Sequence, residues 1–192
     1  LGPDSQAALG EQTQRLARLA EDIDEVSTAE EGRLDLDLHA HQVTDLLWAA
    51  HEGMRDRYAA RSVNLIIDTR AAPGLTVHGD RHRIGQVLAN LLSNALRHTP
   101  PGGTVTMTSR RVGDHARITV TDNGEGMTPE QLEHAFERFY RGDQARNRDQ
   151  GGTGIGLTIS KAIIDAHDGF ITATSPGAGM GTEITIALRI HA

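Results

Sequence analysis

The 192-residue chain has no cysteine, a single lysine and only six aromatic rings. Without cysteine there is no disulfide, no thiolate nucleophile and no cysteine zinc site. Aromatics are 3% of the residues against 38% hydrophobic overall, so the core has to be built from Leu, Ile, Val and Ala. No run of about 18 consecutive apolar residues occurs, so no segment reads as a membrane span. Lys161 stands against 18 Arg, a bias that a GC-rich coding sequence explains, and no Lys/Arg stripe is present. The net charge is −7, a poor balance for binding nucleic acid. The acids are concentrated: residues 1–40 carry ten against three Arg, whereas residues 41–192 carry sixteen of each sign. The chain opens on Leu1 rather than Met and shows no signal-peptide pattern, so it is expected to be a piece of something longer. At roughly 150 residues per domain its length corresponds to little more than one domain.

What is present begins with a heptad rhythm. Leu9, Leu16 and Ile23 recur every seven residues, and Gln12, Leu19 and Val26 follow in the d register. This predicts a coiled-coil-like helix or one arm of a helical hairpin, because so short a helix needs a partner for its stripe. The alternative is one amphipathic helix packed on its own domain. After Glu30-Glu31-Gly32, the alternation of Leu34, Leu36 and Leu38 with aspartates predicts a strand. A helix is expected over 42–61, strands at 63–69 and 75–77, and a second helix from an Asp80 cap to about Leu96. Strands at 104–110 and 116–121 flank the hairpin signal Gly113-Asp114. Pro129 opens a short helix to about Phe139. The stretch 140–154 is polar and glycine-rich and reads as a mobile loop. A third larger helix spans about 155–166, and a closing hairpin pairs 170–174 with 183–190. From about residue 33 onward this is an α+β domain of mostly antiparallel strands and three main helices.

Three motifs carry chemistry. Asn90 and Asn94 lie four apart on one helix face. An Asn carbonyl is a hard oxygen ligand that suits magnesium without repelling phosphate, although such pairs are mostly solvated surface. Asp122-Asn123-Gly124-Glu125-Gly126 follows a strong strand. There the glycines allow close backbone approach, and an acceptor-only carboxylate matches an adenine amine. A plain turn is the bland reading of the same residues. Gly151-Gly152-Thr153-Gly154-Ile155-Gly156-Leu157 opens a helix, where free N–H groups suit an anion. Leu157 stands where a dinucleotide fingerprint needs its third Gly, and Ser160 stands where a Walker loop needs Gly. A phosphate cradle and a simple linker both remain. His39/His41 and His78/His82 are weak metal candidates, with no third ligand placed.

The order Asn90/Asn94, Asp122-x-Gly124-x-Gly126, Phe136–Phe139, Gly152-x-Gly154-x-Gly156 and Gly179-x-Gly181-Thr182 resembles the ATP-binding domain of bacterial sensor histidine kinases. These match its N box, first glycine box, F box, second glycine box and terminal Gly-Thr element, over about residues 80–190. Residues 1–32 resemble the second helix of that family's dimerisation hairpin, and 33–192 its ATP-binding catalytic domain. The resemblance implies a two-layer α/β sandwich with ATP between helices and sheet under a lid. It implies Asp122 at the adenine amine, Gly124 and Gly126 beside the base, and Thr182 supporting the adenine end. Asn94 would hold Mg2+ with Asn90 beside it, Asn90 being also the one catalytic candidate. Arg97, His98, Arg138, Arg141 and the backbone of Gly152, Thr153, Gly154, Ile155, Gly156 and Leu157 would surround the nucleotide.

The implied reaction is γ-phosphoryl transfer to a histidine on the hairpin's other helix, with relay to a response regulator. None of the ten histidines fits the family's acceptor motif, so the chain is expected to bind ATP without phosphorylating itself. A homodimeric full-length protein, a cytoplasmic catalytic domain and a membrane-anchored parent belong to the same implication. The competing functions are an ATPase of the same superfamily, an anti-sigma serine kinase and a non-catalytic nucleotide-sensing module. The ATPases carry Glu where this chain has Asn90.

Overall fold

The computed structural model describes residues 27–28, 34–70, 74–138, 140 and 154–191. The heptad positions Leu9, Gln12, Leu16, Leu19, Ile23 and Val26 lie outside the described residues, as do Phe139, Arg141, Gly152 and Thr153. The described elements run β1 (His39–Gln42), α1 (Val43–Ala60), β2 (Asn64–Asp68), β3 (Thr76–Gly79), α2 (Arg81–His98), β4 (Thr104–Val112), β5 (His115–Asp122), α3 (Pro129–Glu133), α4 (Gly156–Ala166), β6 (Phe170–Thr174) and β7 (Thr182–Arg189).

Five strands form one sheet in the order β2-β4-β5-β7-β6. Only β2 and β4 pair in parallel, from Asn64 opposite Thr104 to Asp68 opposite Thr108. A parallel pair needs a crossover connection, and β3 with α2 supplies it. The other neighbours are antiparallel, and Val112 opposite His115 closes the β4–β5 hairpin over Gly113-Asp114. Period two sorts the side chains. Val105, Met107, Ile118, Val120, Ile184, Ile186 and Leu188 are buried beneath α1, α2 and α4. The opposite face is rich in threonine, and Thr119 Oγ1 lies 2.9 Å from Thr185 Oγ1 across β5 and β7. The result is the expected α+β two-layer sandwich.

The helices form where their apolar stripes meet the sheet. In α1, Val43, Leu46, Leu47, Met54 and Tyr58 are buried. In α2, the buried stripe is Ile84, Val87, Leu88, Leu91, Leu92, Ala95 and Leu96. Asp80 caps α2 by accepting from the backbone N–H of His82 and Arg83 at 2.9 and 3.0 Å. His167, just past α4, accepts the Asp80 N–H on Nε2 at 3.0 Å, and its Nδ1 donates to the Ile163 carbonyl at 2.7 Å. One buried imidazole thus ties the start of α2 to the end of α4.

Two boundaries differ from the sequence expectation. Residues 34–38 form no ladder, and the strand begins at His39, pairing with β3 from His39 opposite Gly79 to Gln42 opposite Thr76. The Asp37 N–H is taken instead by the Asp80 carboxylate at 3.1 Å, so the helix cap captures the backbone that alternation assigns to a sheet. The helix opened by Pro129 stops at Glu133 rather than near Phe139. Its capping box, Thr128 with Gln131, starts it, but none of its residues is buried to hold a longer one.

Candidate functional site

The last two turns of α2 carry a half-buried polar edge of Asn90, Asn94, Arg97 and His98 beside the leucines that anchor the helix. Asn90 donates its Nδ2 to the Gly156 carbonyl at 3.2 Å. A carbonyl only accepts, so the amide nitrogen must face it and Oδ1 is turned elsewhere. Gly156 opens α4, and a Cβ there would come within 3.7 Å of the Asn90 amide. The Asn94 side chain makes no hydrogen bond among the described residues. The edge therefore presents two neutral carboxamide oxygens. Among the described residues no cluster of three or more His, Cys, Asp or Glu could cage a metal ion. Such a pair fits magnesium, which keeps several waters and takes ligands from a phosphate chain.

Asp122 ends β5 and is buried. Its Oδ1 accepts the Gly124 N–H at 2.8 Å and the Thr182 N–H at 3.3 Å. Oδ2 has no hydrogen bond among the described residues. Burial pushes this carboxyl above the ordinary range, opposed by the N–H groups of Gly124 and Thr182 and by nearby His98. A carboxylate with one oxygen pinned and the other unpaired near the surface is an acceptor waiting for a donor. Tyr58 is its neighbour below. That phenol donates to the Leu92 carbonyl at 2.8 Å and is raised by burial and then by the Asp122 charge.

Two loops hold Asp122 in place, and glycine is required where they touch. A Cβ on Gly124 would lie 2.1 Å from the His98 carbonyl oxygen, and one on Gly181 would lie 2.0 Å from the Asp122 carbonyl oxygen. The Glu125 N–H donates to the His98 carbonyl at 2.9 Å, and His98 Nδ1 lies 3.1 Å from Glu125 Oε2. The Gly181 N–H donates to the Gly124 carbonyl at 3.2 Å, and the Gly179 N–H donates to the Glu125 carbonyl. The end of α2, residues 124–126 and residues 175–182 thus meet around one carboxylate. Asn94 sits one helical turn before His98, whose carbonyl receives the Glu125 N–H.

The α4 N-terminus meets α2 at Asn90. Gly154 adopts φ +71°, and Ile155 precedes the helix without a side-chain cap bond. The first-turn N–H groups are left to the dipole end of the helix, a setting that favours an anion. Ile155 is buried and Leu157 packs against the core. Thr158 donates to the Phe136 carbonyl at 3.1 Å, which joins α4 to the segment after α3. Arg138 is exposed on that segment.

The structure links Asn90 to Gly156, the end of α2 at His98 to Gly124 and Glu125, and Asp122 to Gly124 and Thr182, with Gly126 against Gly177 and Asn94 on the same helix as Asn90 and His98. Thr182 contributes its backbone N–H. His78 does not pair with His82; its ring stacks on His191 at 5.3 Å. His39 pairs with Asp37 at 2.8 Å. Motif reading missed Tyr58, Ser175 and His167. Nothing local marks the first or third, and the Ser175-x-Gly177 turn is the one available hint of the second.

Residues 79–192 match the family described as histidine kinase-, DNA gyrase B-, and HSP90-like ATPase. The signal transduction histidine-protein kinase BaeS of Escherichia coli is 35% identical over 189 residues, which is 98% of this chain and 40% of that kinase. The sensor-like histidine kinase SenX3 of Mycobacterium bovis is 43% identical over 134 residues, covering 70% of this chain and 32% of SenX3. The chain therefore spans well under half the length of these curated relatives. The mycobacterial sensor histidine kinase MprB superposes with a TM-score of 0.69 at 28% identity, over 80% of this chain and 99% of that one. The Acinetobacter baumannii histidine kinase AdeS shares the fold, with a TM-score of 0.81 at 24% identity, over 100% and 87% of the two chains. A further structure of the same fold is the histidine kinase ThkA in complex with response regulator protein TrrA, with a TM-score of 0.76 at 22% identity, over 100% and 53%.

Proposed function

This chain belongs to the histidine kinase-, DNA gyrase B-, and HSP90-like ATPase family, as the catalytic domain of a sensor histidine kinase, and we propose that it binds MgATP for phosphoryl transfer to a histidine on a dimerisation helix. Bound MgATP supplies the γ-phosphoryl group, whose bond to the β–γ bridging oxygen breaks as the new bond to an imidazole nitrogen forms. The residues of this chain position and neutralise. Asp122 accepts from the adenine amine through Oδ2, while Gly124 and Thr182 keep Oδ1 occupied. Gly126 lets the backbone pass the base. Asn94 would hold magnesium through its carbonyl oxygen, with Asn90 beside it or on the ion's water shell. Arg97, Arg138, Arg141 and the backbone at Gly152, Thr153, Gly154, Ile155, Gly156 and Leu157 would hold the phosphates, and His98 would lie near the nucleotide. No residue here is assigned as general base.

In the same reading, residues 1–32 are the second helix of a dimerisation hairpin and 33–192 the ATP-binding domain. The parent is a membrane-anchored homodimer with this domain on the cytoplasmic side, and a response regulator receives the phosphoryl group. No helix among the described residues is long and apolar enough to cross a membrane. The observation that carries the nucleotide assignment is the half-pinned Asp122 carboxylate near His98 at the end of α2.

The experiment is phosphorylation by labelled ATP, with and without a preceding hairpin helix that carries the acceptor histidine. Acid-labile label in the longer chain alone is expected. No label in the longer chain would favour the nucleotide-sensing reading. Asn is a poor base, so Asn90→Glu should raise ATP hydrolysis. A native chain that already hydrolyses ATP as fast as that variant would be an ATPase rather than a kinase.

A further inference from the structure

Ser175 lies between β6 and β7, outside every motif considered above, yet its hydroxyl is fully used. A hydroxyl has one proton to give and two lone pairs. Ser175 Oγ accepts the Met127 N–H at 3.0 Å and the Gly177 N–H at 3.3 Å, and donates to the Gly181 carbonyl at 2.6 Å. Met127 follows Gly126 in the loop beside Asp122. Gly181 precedes Thr182, whose N–H holds Asp122 Oδ1 at 3.3 Å. The two loops are already as close as backbone allows, since a Cβ on Gly126 would lie 2.1 Å from the Gly177 carbonyl oxygen and 3.1 Å from Ser175 Oγ.

We propose that Ser175 is a positioning residue for base recognition: its hydroxyl ties residues 175–182 to the loop after β5, so that the Thr182 and Gly124 N–H groups converge on one oxygen of Asp122 and the other stays turned toward the base. This rests on the reading of Asp122 as the adenine acceptor. Removing the hydroxyl orphans the Met127 N–H and the Gly181 carbonyl together. The Thr182 N–H then loses its fixed direction and the carboxylate its orientation. The phosphate side, built on α2 and the start of α4, does not pass through Ser175.

The test compares MgATP with magnesium tripolyphosphate as probes of the native chain, Ser175→Ala, Ser175→Thr and Asp122→Asn. Ser175→Ala is expected to lose about tenfold or more in ATP affinity and less than about twofold in tripolyphosphate affinity. Threonine, which keeps the hydroxyl, should recover most of the ATP loss. A merely structural serine would lower the melting temperature and leave the ratio of the two affinities unchanged. Equal losses for both probes, or an unchanged ATP affinity, overturn the proposal while Asp122→Asn still discriminates. If Asp122→Asn also fails to discriminate, the base reading falls and takes this one with it. Amide exchange in the native chain keeps the proposal open to refutation even if the alanine variant does not fold. Slow exchange at Met127 and Gly177 is expected, and fast exchange at both overturns the role.

Discussion

Asp122→Asn isolates the base-reading atom. The substitution is nearly isosteric, and the geometry dictates how the amide sits. Oδ1 must go on accepting the Gly124 and Thr182 N–H groups at 2.8 and 3.3 Å, so the new NH2 replaces Oδ2. An adenine amine then meets a donor instead of an acceptor. The loss is a hydrogen bond to a charged group, about 1.5–3 kcal/mol, plus donors left unpaired on both sides, about 1–3 kcal/mol for a buried group. The sum of about 2.5–6 kcal/mol weakens MgATP by roughly 60-fold to 2 × 10⁴-fold. Tripolyphosphate, which has no base, should lose less than about twofold. Guanine presents a carbonyl oxygen where adenine has the amine, so the preference for ATP over GTP should collapse. The folded apo protein should not suffer, because burial raises this carboxyl and the variant removes a charge that the fold disfavours. Titration calorimetry with the three ligands, alongside thermal melts, reads every part. A loss of under about threefold for ATP, or an equal loss for tripolyphosphate, would refute the reasoning.

Gly124→Ala should abolish nucleotide binding in the same calorimetry, because its Cβ would sit 2.1 Å from the His98 carbonyl oxygen, where no side chain can yield; retained affinity would contradict the described contact. Because two N–H groups occupy Oδ1, a proton on Asp122 would sit on Oδ2 and turn it into a donor; with the pKa raised, ATP affinity should hold above that pKa and fall as pH drops through it, starting at a less acidic pH than an ordinary carboxylate requires. Affinity that stays flat well below neutrality would argue against it. Asp80 is the opposite case. Burial raises it, but the N–H groups of Arg83, Asp37 and His82, with His167 nearby, outweigh that and lower its pKa. Its contribution is present above the unfolded carboxylate pKa and is lost as pH falls through the folded value, so Asp80→Ala should cost about 1–2 kcal/mol at neutral pH in denaturant melts and progressively less in acid. Ser109 is buried with its hydroxyl unpartnered among the described residues, so Ser109→Ala should leave stability unchanged or raise it by up to about 1 kcal/mol. A loss of similar size would mean that the hydroxyl has a partner.

Much of the frame is legible in the residues because its signals are local. The leucines of α2, the Gly113-Asp114 turn and the aliphatic runs of β5 and β7 each fix an element by periodicity and turn chemistry. Asn90, Asn94, Asp122 and the glycines could be placed on helix, strand end and loop before any coordinates. Their convergence could not, since it depends on the β5–β7 pairing that puts Thr182 opposite Asp122. Leu34–Leu38 misled because alternation says nothing about a competing acceptor, and the Asp80 carboxylate takes the backbone there. Ser175 and His167 escaped notice for a related reason: each acts through partners distant in sequence, and a lone Ser or His carries no spacing to read.

The most direct measurement is a structure of the chain with MgATP or a non-hydrolysable analogue bound. The account predicts the exocyclic amine of adenine within hydrogen-bond reach of Asp122 Oδ2 and the metal on the Asn94 carbonyl oxygen, with Gly124 and Thr182 still on Oδ1. A base stacked elsewhere, or a carboxylate swung away from it while the nucleotide stays bound, would contradict the account.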